Sequence, residues 1–141
     1  MFETIVVGTD GSPTADLAVR QAAELAKANG GVLHIVSAYK PQAAKTVGVP
    51  GEEWQLLPAD RVESVLDEGA SLGRVLGVKV EVHGSRGDPA NAIVRVAKDV
   101  GADVVVVGNK GMKGAKRFIL GSIPNKVAHS APCAVLIIKT T

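Results

Sequence analysis

A chain of 141 residues, 46% hydrophobic and with a formal net charge of +2, is long enough to close one substantial core. No apolar run reaches the length of a membrane span, and a single cysteine, Cys133, rules out an internal disulfide. Only four aromatics occur (Phe2, Tyr39, Trp54 and Phe118), which leaves the core to aliphatic side chains and argues against nucleic acid as the partner. A lone thiol in an apolar stretch reads as a buried core residue and fits a reducing cytoplasm.

The chain alternates short apolar runs with helical spacing. Phe2-Glu3-Thr4 leads straight into a strand, Thr4 to Gly8, rather than into a secretory leader. Thr9-Asp10-Gly11-Ser12-Pro13 is a turn and helix start, and residues 13 to 29 keep Ala15, Ala18, Val19, Ala22, Ala23, Leu25 and Ala26 on one broad face until Asn29-Gly30-Gly31 stops them. A second strand covers Val32 to Ala38. Residues 40 to 58 hold three prolines and two glycines and read as a long irregular connection. Helical spacing returns over 59 to 76, with Val62, Val65, Leu66, Ala70 and Leu72 in phase. A third strand is expected at Val78 to His83, a turn at Gly84 to Gly87, and a helix from Asp88-Pro89 through Val100. Asp103 to Val107 is the fourth strand, its valine run Val104 to Val107 fully buried, Ile123 to about Ser130 a last helix, and Cys133 to Lys139 a fifth strand.

Five strands joined by four crossovers predict an α/β fold: a doubly wound parallel sheet with helices on both faces. In such sheets ligands bind beyond the strand C-termini, where the strand order reverses. The loops after the first and fourth strands become neighbours if the order is 3-2-1-4-5.

The loop after the fourth strand, Gly108 to Ser122, holds the most informative chemistry. Glycines at 108, 111, 114 and 121 allow backbone N–H groups to approach an anion, and Ser122-Ile123-Pro124 starts a helix whose dipole favours negative charge. Ser122 is the expected helix cap. From Val104 onward there are six Lys or Arg and no acid, against ten basic and fourteen acidic residues before it, so the chain divides into about −4 and +6. A basic surplus centred on a glycine loop points to a bound polyanion rather than to a solvated face.

The spacing Gly108-x2-Gly111-x9-Gly121-Ser122 resembles that of the universal stress proteins, in particular their nucleotide-binding branch. The resemblance extends over the whole chain, 1–141, as one nucleotide-binding domain. It includes Ile5 to Ser12, the Gly87-Asp88-Pro89 turn and His129 to Ile138. It implies ATP bound as a regulatory ligand, with Mg²⁺ or Mn²⁺ on the phosphates, and cyclic AMP as the alternative nucleotide. The implied phosphate contacts are Gly108, Gly111, Gly121 and Ser122, and Asn109, Lys110 and Ile123 beside them belong to the expected nucleotide-binding set. Asp10 would contact the ribose, with Thr9 and Gly11 beside it in the expected nucleotide-binding set, and the backbone of Ala38 would meet adenine. Family members also pair through the last strand, so a homodimer is expected across Cys133 to Ile138, an apolar edge without the charges that usually blunt one.

Each site residue has a plainer reading beside it. Asp10 and Ser12 both precede a helix and either could simply cap it, while Lys110 could merely face solvent. Competing chemistries find less support. A phosphoacceptor receiver needs an aspartate ending the third strand, where this chain reads His83-Gly84-Ser85; a Walker loop needs Gly-Lys-Ser/Thr, which is absent. His34, His83 and His129 show no metal-ligand spacing in sequence. No general base is identifiable near the phosphates, so at most slow ATP hydrolysis is expected. The alternative of another class is an interaction module with an empty crevice, against which the intact glycine motif counts. Nucleotide is further expected to order residues 40 to 58, with Trp54 as reporter.

Overall fold

The computed structural model describes residues 1–40, 57–109 and 120–140, with the side chains of 40 and 57–60 left aside. The elements in chain order are β1 (Thr4–Gly8), α1 (Pro13–Asn29), β2 (Val32–Lys40), β3 (Leu57–Pro58), α2 (Ala59–Val75), β4 (Lys79–Arg86), α3 (Pro89–Val100), β5 (Val104–Gly108), α4 (Ser122–Ser130) and β6 (Ala134–Ile138). Every pairing is parallel. The five principal strands lie in the order β4-β2-β1-β5-β6, the expected 3-2-1-4-5 arrangement.

Alternation of side chains across the pleat builds two cores from one sheet. Ile5, Val7, Leu33, Ile35, Val104 and Val106 pack beneath α1 and α2. Val6, Val36, Ala38, Val105 and Val107 pack beneath α3 and α4. The four-valine run of β5 is therefore buried on both faces, as continuous apolar runs in parallel sheets are.

Helix ends follow local chemistry. Ser12 caps α1, its Oγ accepting from Ala15 N at 3.2 Å, and Asp88 caps α3, accepting from Asn91 N at 3.0 Å. Both helices carry proline in the first turn and close on a left-handed glycine, Gly30 (φ 64°) and Gly101 (φ 65°).

Several sequence expectations are corrected. β2 continues to Lys40, and the connection beyond it ends in a short strand, Leu57–Pro58, paired with Tyr39 and Lys40. Residues 41–56, including Trp54, lie outside the described residues. Gly84 to Arg86 belong to β4 rather than to a turn, since β2 pairs with β4 as far as Tyr39↔Arg86 and the reversal falls on Gly87 (φ 101°). Gly84 fits there because a Cβ would press on Val62 at 3.2 Å, so the missing side chain lets α2 sit close. Cys133 precedes β6 and is half-buried rather than buried; desolvation first, then Asp103, push its thiol up.

At the opposite end of the sheet from the loops, the Asp103 carboxylate accepts from Glu3 N at 3.0 Å and Thr4 N at 2.9 Å, tying the start of β1 to that of β5. Those two backbone bonds hold its pKa below the ordinary carboxylate value. A carboxyl depressed on folding adds stability above about pH 4, its unfolded range, and loses it as pH falls through the folded value. The Asp103→Asn variant should therefore unfold at lower temperature than the parent at pH 7, with the gap closing as pH drops below 4. Equal unfolding temperatures at pH 7 would remove this role from Asp103.

Candidate functional site

The C-terminal ends of β1, β2 and β5 open onto a largely apolar crevice that is continuous with solvent. Its floor is Val36, Ala38 and Val107 together with the strand ends at Gly8 and Gly108. One wall comes from Thr14, Ala15 and Ala18 of α1, the other from Pro89 and Ile93 of α3 and from Ile123 and Pro124 of α4. Gly8 lets these walls meet: a Cβ there would strike Ile93 Cδ1 at 2.5 Å.

The turn from β1 into α1 is held by short local bonds. Thr9 N donates to Val36 O at 2.9 Å, Gly11 N to Thr9 Oγ1 at 3.0 Å, and Ser12 N to Asp10 Oδ1 at 3.0 Å. Gly11 has φ 83° and sits against Val65, a conformation that L side chains rarely adopt. Ser12 is the helix cap, so Asp10 is released from that duty. Its Oδ1 closes the turn, and Oδ2 has no protein partner among the described residues. Nearby, burial and then the Glu68 charge raise the Asp16 pKa; Arg20 opposes them and Asp10 adds to them, which marks an acidic rim.

The Val36 carbonyl turns toward β1 to meet Thr9, so by alternation Ala38 directs its own N–H and C=O to the same side. β1 has already stopped at Gly8, opposite Val36. Ala38 thus presents backbone polar groups just past a strand end, where the cavity lies.

At β5 the chain leaves through Asn109 and returns at Gly121, whose N–H donates to Asn109 O at 3.0 Å. Asn109 itself is committed to structure: its N donates to Ile138 O at 2.8 Å, and its Oδ1 accepts from Thr140 N at 2.8 Å and Thr140 Oγ1 at 3.1 Å. The cap of α4 is Gly121, not the expected Ser122, which is the first helical residue with its side chain exposed. Gly121 supplies no side-chain acceptor to the first-turn N–H groups, so the positive end of α4 is left open beside the cavity. Lys126 is engaged with Asp88, Nζ to Oδ2 at 3.3 Å, which ties α4 to the α3 cap.

Of the residues expected from sequence, Thr9, Ala38, Gly108 and Ile123 line the cavity. Asp10, Gly11, Asn109 and Gly121 stand on the two loops that border it and Ser122 opens α4 beside them, while Lys110 and Gly111 lie outside the described residues. Sequence reasoning missed the α3 contribution, Pro89 and Ile93. The signal was present: Gly87-Asp88-Pro89 starts a helix directly after an edge strand, and that helix must cross the sheet face carrying Val36 and Ala38.

Known proteins share this architecture. A solved universal stress protein in complex with cAMP superposes with a TM-score of 0.78 at 33% identity, covering 99% of this chain and 98% of that one. An Archaeoglobus fulgidus universal stress protein in complex with dAMP gives 0.70 at 27% identity, over 99% of this chain and 100% of that one. A Mycobacterium tuberculosis universal stress protein is 35% identical over 144 residues, 99% of this chain and 98% of that protein. A Methanocaldococcus jannaschii universal stress protein is 31% identical over 143 residues, 99% of this chain and 83% of its own length. Residues 1–139 match the model of the Universal stress protein family, and the chain belongs to that family.

Proposed function

We propose that the chain, as one domain over 1–141, binds an adenine nucleotide, ATP foremost, as a regulatory ligand in a cytoplasmic stress response, and acts as a homodimer. The observation that carries this reading is the cavity where β1, β2 and β5 end, bordered by an α4 N-terminus whose cap has no side chain. An apolar slot floored by Val36, Ala38 and Val107 suits a base, with the Ala38 backbone at its edge. Asp10 Oδ2 and the Thr9–Gly11 turn suit the ribose. The stretch from Gly108 through Asn109, Lys110 and Gly111, with Gly121, Ser122 and Ile123, suits the phosphates by the anion preference of a helix start. Mg²⁺ or Mn²⁺ would share the phosphate charge. The side chain of Asn109 is bound to Thr140, so any contribution from it comes through the backbone.

Cyclic AMP is the second reading, favoured by likeness to the cAMP complex at 33% identity. One phosphate would use the same helix start. Isothermal calorimetry with ATP, with and without Mg²⁺, and with cyclic AMP separates the two. The expected result is one ATP per chain, bound more tightly with the metal, and phosphate release too slow for an efficient enzyme. Binding of neither nucleotide would leave the crevice an empty interaction surface.

A further inference from the structure

We propose that His34, Glu81 and His83 form a binding site for a divalent transition-metal ion of the zinc class, separate from the nucleotide cavity. Parallel pairing of β2 with β4 sets His34 opposite Glu81 and Val36 opposite His83. Directly opposed residues share a face, and residues two apart on one strand share it too, so all three side chains stand on the same side of the sheet.

Their ligand atoms converge, lying within 4.8 Å of one another. His34 Nδ1 is 3.0 Å from His83 Nε2 and 4.0 Å from Glu81 Oε1. Two nitrogens bound tetrahedrally to zinc sit roughly 3.4 Å apart, given bonds of about 2.0–2.1 Å. The pair therefore needs to open by only a few tenths of an ångström, and the half-exposed Glu81 closes the remaining distance by a side-chain rotation. Two neutral imidazoles and one carboxylate make a donor set of net charge −1, of borderline softness and suited to Zn²⁺. His34 is buried, which fixes one ligand on the rigid strand, whereas Glu81 opens to solvent and leaves an entry path and a fourth position for water.

Lys79 lies near enough to oppose a positive charge on His34, and Arg95 of α3 is engaged two residues further along β4, donating to Ser85 Oγ at 2.7 Å. Among the described residues no other trio of His, Cys, Asp or Glu converges in this way. His34 lies four residues before Ala38 on β2, about 13 Å along the strand, so the ion would join edge strand β4 to the inner strand away from the nucleotide.

The test is calorimetric titration of chelator-treated full-length chain with Zn²⁺ alone, without nucleotide. One ion per chain is expected, with a rise in the thermal unfolding midpoint. Glu81→Gln and His83→Ala, at positions that are not buried, should each weaken Zn²⁺ binding by more than about 100-fold, beyond the 10–100-fold typical of outer-sphere partners. His129→Ala on α4 should leave both stoichiometry and affinity unchanged. ATP affinity of the His83→Ala chain should match the parent, which shows that the variant folds and keeps the two sites distinct. Absence of stoichiometric Zn²⁺ binding by the parent chain, or parent-level Zn²⁺ affinity in either β4 variant, overturns the site and leaves the two histidines as a hydrogen-bonded pair.

Discussion

Replacing Gly121 by valine is expected to abolish nucleotide binding while leaving the fold in place. Gly121 is buried and has φ −62° and ψ 162°, an extended conformation open to any residue, so the substitution introduces no backbone strain. What changes is space. An added isopropyl group would stand at the mouth of α4, where the phosphates are proposed to meet unshielded N–H groups. A loss of at least about 100-fold in ATP affinity, roughly 2.7 kcal/mol, should appear by calorimetry. Valine is also a poorer cap than glycine, so a small drop in unfolding temperature is expected alongside. Wild-type affinity in Gly121→Val would move the phosphates away from this helix.

The second large effect is on assembly. Among the described residues β6 is an outer strand, and Leu136 and Ile137 are 40% and 39% exposed on consecutive residues, so those residues fully cover neither face of the edge. Large aliphatic groups beside unpaired strand N–H and C=O groups favour pairing with a second copy across a two-fold axis. Sedimentation at micromolar concentration should give twice the 14.5 kDa chain mass, and Leu136→Lys should reduce it to a single chain. Nature blunts open edges with lysine in the same way. A monomeric parent, or a dimer indifferent to Leu136→Lys, would falsify the proposed pairing.

The features that sequence made legible are those whose causes are local. Ser12 and Asp88 each precede a proline and an apolar helical phase, and both cap the helices expected there. The four valines of β5 fit nothing but a doubly covered strand. The expected β4 stopped three residues short because Gly84-Ser85 carries turn chemistry, which lost to register with β2 and to the close approach of Val62. Ser122 was the better cap by residue type, yet the bond from Gly121 N to Asn109 O sets where α4 begins, and that partner lies twelve residues back. The meeting of His34 with Glu81 and His83 spans 47 and 49 positions and exists only through strand register. The role of Asn109 likewise depends on Thr140, 31 residues later. Nothing in the immediate neighbourhood of these residues encodes such partners.

Asn109 joins three parts of the molecule at one residue. Its carbonyl holds the start of α4, its N–H the last carbonyl of β6, and its side chain the backbone just beyond. A ligand that draws Gly121 toward a phosphate pulls on the same peptide that anchors the outer strand. The crevice and the outer strand β6 thereby share a mechanical strut one residue wide. Thermodynamic reciprocity then applies: whatever factor nucleotide imposes on the pairing of two chains, pairing imposes on the affinity for nucleotide. Occupancy of the crevice would in that case vary with the protein's own concentration, and the chain would sense its abundance along with its ligand.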